Sequence, residues 1–100
     1  MKNHNKYKNK RCECDGYKFA SIKEMNRYKE LKLLEKSGDI NLLFIHPKFK
    51  LYAGINYIAD FKYTINGLDI VEDVKGYIMQ EYKIKQKLFK EIYGFDITLV

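Results

Sequence analysis

Two apolar segments joined by Asn66-Gly67 constrain the fold of this chain more than any other feature. Residues 56–65 are rich in Tyr, Ile and Phe, and residues 68–75 contain Leu, Ile and two Val, all in keeping with strands. Asn-Gly between two such segments is typical of a two-residue hairpin turn, because both residues tolerate the left-handed backbone that this turn needs. The sequence therefore predicts an antiparallel strand pair, with Gly76 ending the second strand.

Further elements are predicted on both sides of this hairpin. Ser21 followed by Glu24 is a capping-box pattern, which predicts a helix running to about Lys36 and ending at Gly38. The other predicted elements are a small hairpin over residues 12–19 that turns at Asp15-Gly16, strands over residues 41–45, 49–52 and 95–100, and a helix over about residues 79–92.

This order of elements predicts an α/β fold, in which a small N-terminal hairpin precedes an α-β-β-β-α-β core. The second helix can carry the chain to a last strand parallel to its neighbour, which makes the central sheet mixed. Because 100 residues support one hydrophobic core, we expect residues 12–100 to form a single domain.

The net charge of +6 is unevenly distributed. Residues 1–11 contain five basic and no acidic side chains, so we expect a flexible basic arm in front of a nearly neutral domain. Excess positive charge favours a polyanionic partner, most often nucleic acid. Lys8, Lys10 and Arg11 are the candidate DNA phosphate contacts of this arm, although a purely solubilising terminus remains the alternative.

Membrane insertion and secretion are not expected. No apolar run approaches the roughly 18 residues that a membrane span needs, and no apolar stretch follows the basic N-terminus as in a signal peptide. Cys12 and Cys14 are too close together for an ordinary stapling disulfide, and Cys-x-Cys spacing is also tighter than that of most structural zinc sites. A cytoplasmic setting is the expectation.

Acidic residues in the central hairpin carry the functional prediction. Asp60 interrupts an apolar strand, and Asp73 and Lys75 share one face of the next strand. Pairing of the two strands brings Asp60 beside that face. Carboxylates hold Mg²⁺ (or Mn²⁺), and an adjacent lysine orients or deprotonates the attacking water in phosphodiester hydrolysis. A pair of surface acids with Lys75 as their ion-pair partner is the alternative.

Asp60, followed by Asp73-Val74-Lys75, resembles the core of the PD-(D/E)xK (restriction-endonuclease-like) nuclease superfamily. The superfamily shares the α-β-β-β-α-β order predicted above. More narrowly, a small phage and prophage nuclease-like family is similar in four segments, which are residues 19–24, 28–34, 57–61 and 71–76.

The resemblance implies a DNA endonuclease that leaves a 5′-phosphate and a 3′-hydroxyl. It implies that Asp60, Asp73 and Glu24 bind one or two Mg²⁺ ions together with the Val74 carbonyl, and that Lys75 handles the attacking water. Two roles remain open for Glu24, namely a capping-box residue and a metal ligand.

Two positions depart from the family pattern. His46 stands where relatives usually have Gln before the Pro, and the Thr that often follows Gly76 in the family is absent. The function of these positions is therefore open.

The second predicted helix supplies further candidate DNA contacts. Gln80, Lys83, Lys85 and Lys87 are assigned to phosphate binding, and a solvated helix face is the alternative. The expected partners are DNA, with branched DNA as one candidate, and a second copy of the chain in a homodimer that cuts both strands. A non-catalytic DNA-binding or accessory module that retains the nuclease fold is the alternative function.

Overall fold

The computed structural model describes residues 12–75 and 78–100 of the chain. The predicted basic arm, with Lys8, Lys10 and Arg11, lies outside the described residues. The strands are β1 (Glu13–Cys14), β2 (Tyr17–Lys18), β3 (Asn41–Ile45), β4 (Lys48–Lys50), β5 (Asn56–Ile58), β6 (Phe61–Ile65), β7 (Leu68–Asp73) and β8 (Thr98–Leu99), and the helices are α1 (Ile22–Ser37) and α2 (Gln80–Tyr93). Neither helix in this part of the chain is long and apolar enough to cross a membrane.

The central sheet is mixed, as predicted, with the strand order β3-β6-β7-β8. β6 and β7 form the predicted hairpin, in which Asn66 and Gly67 have φ angles of 50° and 80°. β3 pairs with β6 in antiparallel orientation at one side, and β8 pairs with β7 in parallel at the other. The α/β class, the small β1–β2 hairpin and the parallel last strand are therefore confirmed.

Both helices begin and end within one residue or so of their predicted limits, and local signals account for three of these four limits. Ser21 caps α1 by accepting the Glu24 N–H at 3.1 Å, and Gly38 ends it with a φ of 88°. Gly94 ends α2 with the same φ. Glycine adopts this left-handed backbone without the steric penalty that a Cβ would add.

The prediction of one continuous strand over residues 56–65 is wrong. β5 ends at Ile58 and pairs with β4 in a separate two-stranded sheet, whereas β6 begins at Phe61 and pairs with β3. The strands that β6 and β5 pair with, β3 and β4, are themselves separated at Pro47. Proline has no N–H with which to continue the hydrogen bonds of a strand pair. Asp60 therefore lies at a junction between two sheets.

Two apolar clusters cover the two faces of the central sheet. One packs α1 against β6 and includes Tyr28 and Phe61, and the other packs α2 against β7 and includes Val71 and Phe89. Because side chains alternate along a strand, successive residues of β7 point to opposite clusters.

Candidate metal centre

Asp60 and Asp73 lie opposite each other where β6 and β7 meet the sheet junction. Phe61 pairs with Glu72, so the same register places Asp60 beside Asp73. The Asp60 N–H donates to Asp73 Oδ1 at 2.9 Å, and the Val74 N–H donates to Asp60 Oδ2 at 2.7 Å. The hairpin thus brings together the two acids that the sequence pattern singled out.

Glu24 reaches this junction from the first turn of α1, and its side chain is buried. Its Oε1 accepts the Ala20 N–H at 2.9 Å, while its Oε2 lies 3.1 Å from His46 Nε2. The two carboxylate oxygens therefore divide between a capping interaction and the acidic cluster. In this arrangement, the helix-capping interaction does not prevent Glu24 from contributing an oxygen to the cluster.

Glu24, His46 and Asp60 form the most compact set of possible metal ligands in the part of the chain that the structure describes. One ligand atom from each residue lies within 4.8 Å of the others. A divalent ion held at about 2.0–2.6 Å from each donor keeps its ligands within about 5 Å of one another. The donor spacing therefore fits a single bound ion.

Asp73 is adjacent to this set but is held by other donors. Its Oδ1 accepts the Asp60 N–H, and its Oδ2 accepts a hydrogen bond from the Tyr57 hydroxyl. The carboxylate is almost fully buried, and this burial raises its pKa. Asp73 is therefore a fixed, dehydrated carboxylate directly beside the compact set.

Asp60, like Asp73, is in surroundings that oppose its negative charge, an electrostatic strain on the site. Its pKa is raised to about 6, chiefly by burial and also by the nearby Glu24 carboxylate, while the Val74 N–H and Lys75 act in the opposite direction. A raised carboxyl pKa means that the site disfavours its own negative charge. A bound cation would relieve this strain.

Lys75 lies near the acids without forming a direct ion pair with them among the described residues. Its Nζ sits 4.5 Å from the centre of the Tyr82 ring, and its charge lowers the pKa values of Asp60 and Asp73. The ammonium group is thus held by an aromatic face beside the carboxylates. Whether the Val74 carbonyl acts as a ligand stays a prediction, since the described contact of Val74 is through its N–H.

The candidate DNA contacts on α2 divide between two sides of the helix. Lys85 lines a cavity of about 480 Å³ together with Lys75, Tyr57 and Tyr82. Lys83 and Lys87 instead line a second cavity, of about 320 Å³, with Gln86, Lys90 and Asp96, and Gln80 is exposed at the start of the helix. Of these four candidates, Lys85 is the one that shares the 480 Å³ cavity with Lys75.

Sequence reasoning missed His46 as a member of the site. In the sequence, this residue stands out as a departure from the family pattern and as an isolated histidine, which argues against its use in a zinc site with Cys12 and Cys14. The available signal was its position before Pro47, at the end of a predicted strand, but its proximity to Glu24 and Asp60 depends on pairing between distant segments. Cys12 and Cys14, in contrast, are free thiols outside the ligand set found among the described residues.

A model of the family described as "Protein of unknown function (DUF1064)" matches residues 4–99 of the chain. No curated protein matches the chain.

Proposed function

The chain belongs to this DUF1064 family, and we propose that it is a metal-dependent DNA endonuclease of the PD-(D/E)xK type. The observation that carries the proposal is the meeting of three carboxylates from separate segments, Glu24, Asp60 and Asp73. Among the described residues, His46 is the one basic side chain within 4.0 Å of any of them. Such a set favours an external cation.

In the proposed site, Asp60 and Glu24 hold Mg²⁺ or Mn²⁺, and Asp73 is the third carboxylate, beside Asp60. The bound ion would neutralise charge on the scissile phosphate and lower the pKa of its water. Tyr57 donates its hydroxyl hydrogen to Asp73 and so fixes that carboxylate. Preorganised ligands of this kind do not have to rearrange when the substrate arrives.

Lys75 is the proposed catalytic lysine. Its ammonium group rests over Tyr82 rather than being neutralised by an acid within ion-pair distance among the described residues. It can therefore donate hydrogen bonds to an attacking water or to a phosphate oxygen. Lys85 borders the same cavity, which supports its proposed role as a contact to a neighbouring DNA phosphate.

The proposed substrate is DNA, cleaved to a 5′-phosphate and a 3′-hydroxyl by hydrolysis. Support comes from the resemblance of Asp60 and Asp73-Val74-Lys75 to the PD-(D/E)xK core and from the excess of basic residues. The phage or prophage origin, the branched-DNA substrate and the homodimer are extensions of the same proposal.

Cleavage assays with a matched pair of variants test the proposal. Asp69 lies on the same strand as Asp73 but is exposed, so Asp69→Asn is a control for the buried Asp73→Asn. We expect purified wild type and Asp69→Asn to cut linear, nicked or four-way DNA when Mg²⁺ or Mn²⁺ is added, and Asp73→Asn to cut it far more slowly.

Two results would contradict the proposal: no cleavage of any substrate by the wild type, or equal cleavage by Asp73→Asn. Salt-dependent DNA binding that needs no metal and is unchanged in Asp60→Asn would instead identify a non-catalytic DNA-binding module.

A further inference from the structure

The ligand set contains a nitrogen donor that an all-oxygen Mg²⁺ site does not need. We propose that His46 is a direct metal ligand and that it makes the site select a first-row transition ion such as Mn²⁺ over Mg²⁺. This inference rests on the metal site of the proposed function. It adds a ligand and an ion preference to the acidic set.

The backbone holds His46 at the site independently of its side-chain contact. The His46 N–H donates to the Asp60 carbonyl at 2.9 Å, and the Ala59 N–H donates to the Pro47 carbonyl at 3.0 Å. These two hydrogen bonds join the chain segments at the point where both change sheets. His46 and Asp60 are thus fixed to each other by main-chain geometry.

His46 also has a backbone conformation that few residues other than glycine adopt. Its φ is 54°, in the left-handed region where Asn, Asp and His are enriched among the non-glycine residues. Strained backbone of this kind is found at functional sites when the surrounding structure enforces it. Here it accompanies the position of Nε2, 3.1 Å from Glu24 Oε2.

The exposure of Glu24 and His46 suits an ion that must also meet a substrate. The Glu24 side chain is 5% exposed and the His46 side chain 36% exposed. A bound ion would therefore have carboxylate on its buried side and an opening next to the imidazole. Water and a phosphate oxygen can approach from this open side.

Donor chemistry then determines which ion fits. Mg²⁺ takes oxygen ligands almost exclusively and keeps several of its waters, whereas imidazole is a good ligand for first-row transition ions. Among these ions, Mn²⁺ is also well suited to carboxylates. A set of one imidazole and two carboxylates therefore favours Mn²⁺ over Mg²⁺ by more than carboxylates alone would.

Competition binding measures this preference without relying on catalysis. Free Mn²⁺ is followed by its electron paramagnetic resonance signal while Mg²⁺ is added as competitor. The variants are His46→Gln, which keeps an amide N–H for Glu24 but loses the imidazole, and His46→Asn, whose side chain better tolerates the left-handed backbone. Asp69→Asn serves as the control, and thermal melting verifies that each variant is folded.

We expect the wild type to bind Mn²⁺ at least about tenfold more tightly than Mg²⁺. Both His46 variants should lower this ratio by about tenfold, mainly through weaker Mn²⁺ binding. Spin-echo spectra of bound Mn²⁺ should show a directly coordinated ¹⁴N in the wild type and none in His46→Gln.

An unchanged Mn²⁺ to Mg²⁺ ratio in folded His46→Gln, or no ¹⁴N coupling in the wild type, would overturn the inference and leave the nuclease proposal standing. Absence of any Mn²⁺ binding by the wild type would overturn both. If Asp60→Asn, measured alongside them, loses Mn²⁺ while both His46 variants keep it, the ion belongs to the carboxylates alone and the inference is overturned.

Discussion

Glu72 and Asp73 are consecutive residues of one strand, and both side chains are almost completely buried, yet their surroundings are opposite. Glu72 points toward α1, where Arg27 donates to its two oxygens at 2.9 and 2.6 Å and the Tyr63 hydroxyl donates a further hydrogen bond. Asp73 points to the other face and receives one backbone N–H and the Tyr57 hydroxyl.

We interpret this difference as the one between a structural charge and a charge of the proposed metal site. A buried carboxylate that is paired with a fixed cation and fully hydrogen-bonded is compensated within the fold. The hydrogen bonds to Glu72 raise the pKa of the Arg27 guanidinium. The Asp73 side of the sheet instead gathers further acids, and burial raises the pKa values of Asp60 and Asp73. Under the proposed function, these acids bind a cation from outside.

Exchanging each carboxylate for its amide gives the largest expected difference between the two sides. Asp73→Asn should lower the rate of metal-dependent DNA cleavage by about 10³-fold, since losing a metal-site charge removes several kcal/mol of transition-state stabilisation. Glu72→Gln should leave the rate of the folded protein within about twofold. Single-turnover cleavage at a temperature where both variants are folded is the measurement, and similar rates for the two variants would contradict the assignment.

Removing Arg27, the cation that pairs with Glu72, should reduce the stability of the protein. Arg27→Met leaves Glu72 buried without its partner, and breaking a buried pair in this way costs about 3 kcal/mol. In a chain of this size, we expect the melting temperature to fall by more than about 10 °C. Lys32→Met is the control, because Lys32 pairs with Glu35 on the surface, and it should change the free energy of unfolding by less than about 1 kcal/mol. Equal losses in the two variants would show that Glu72 is not compensated by Arg27.

Removing the Asp60 charge should instead increase stability when a chelator keeps metal away. The pKa of Asp60 is raised from 3.8 to about 6, so its ionisation opposes folding and the wild type loses stability as the pH rises through this range. We expect Asp60→Asn to be more stable than the wild type by about 1 kcal/mol at pH 8, after allowing for partial solvent screening, and no more stable at pH 3. Urea unfolding at both pH values tests this expectation. A less stable variant at pH 8 would show that the carboxylate is compensated after all.

Two variants with small expected effects separate the helix-capping and metal-binding roles of Glu24. Ser21→Ala removes the cap and should cost about 1 kcal/mol without changing metal affinity. Glu24→Gln keeps an oxygen for the Ala20 N–H, so it should cost less than Ser21→Ala but weaken Mn²⁺ binding by about tenfold. Chemical unfolding and calorimetric titration measure the two quantities. Unchanged Mn²⁺ affinity in Glu24→Gln would confine Glu24 to capping.

Local signals in the sequence were sufficient for much of the fold. The Ser21 cap, Gly38 and the Asn66-Gly67 turn act over a few residues, so they predict α1 and the central hairpin correctly. The pairing of the two hairpin strands in turn predicts that Asp60 lies beside Asp73, and the hydrogen bond from the Asp60 N–H to the Asp73 carboxylate confirms it. The preference for Asp73 over Glu72 as the site acid agrees with the pairing of Glu72 to Arg27.

The change of sheet within residues 56–65 and the position of His46 depended on contacts between distant segments. The change of partner at Ala59–Asp60 arises because β5 pairs with β4 and not with β3, which the strand-forming residues in this stretch do not reveal. His46 joined the site because it lies opposite that change. Periodicity describes which face a residue occupies, but it does not identify which segment covers that face.

Calorimetric Mn²⁺ titration of the wild type, Glu72→Gln and Asp60→Asn tests most directly whether the two buried acidic groups differ as described. We expect the wild type and folded Glu72→Gln to bind Mn²⁺ with equal affinity, and Asp60→Asn to bind at least about tenfold more weakly. Loss of binding in Glu72→Gln with full binding in Asp60→Asn, or no binding by the wild type, would contradict the assignment of the metal site to the Glu24, His46 and Asp60 cluster.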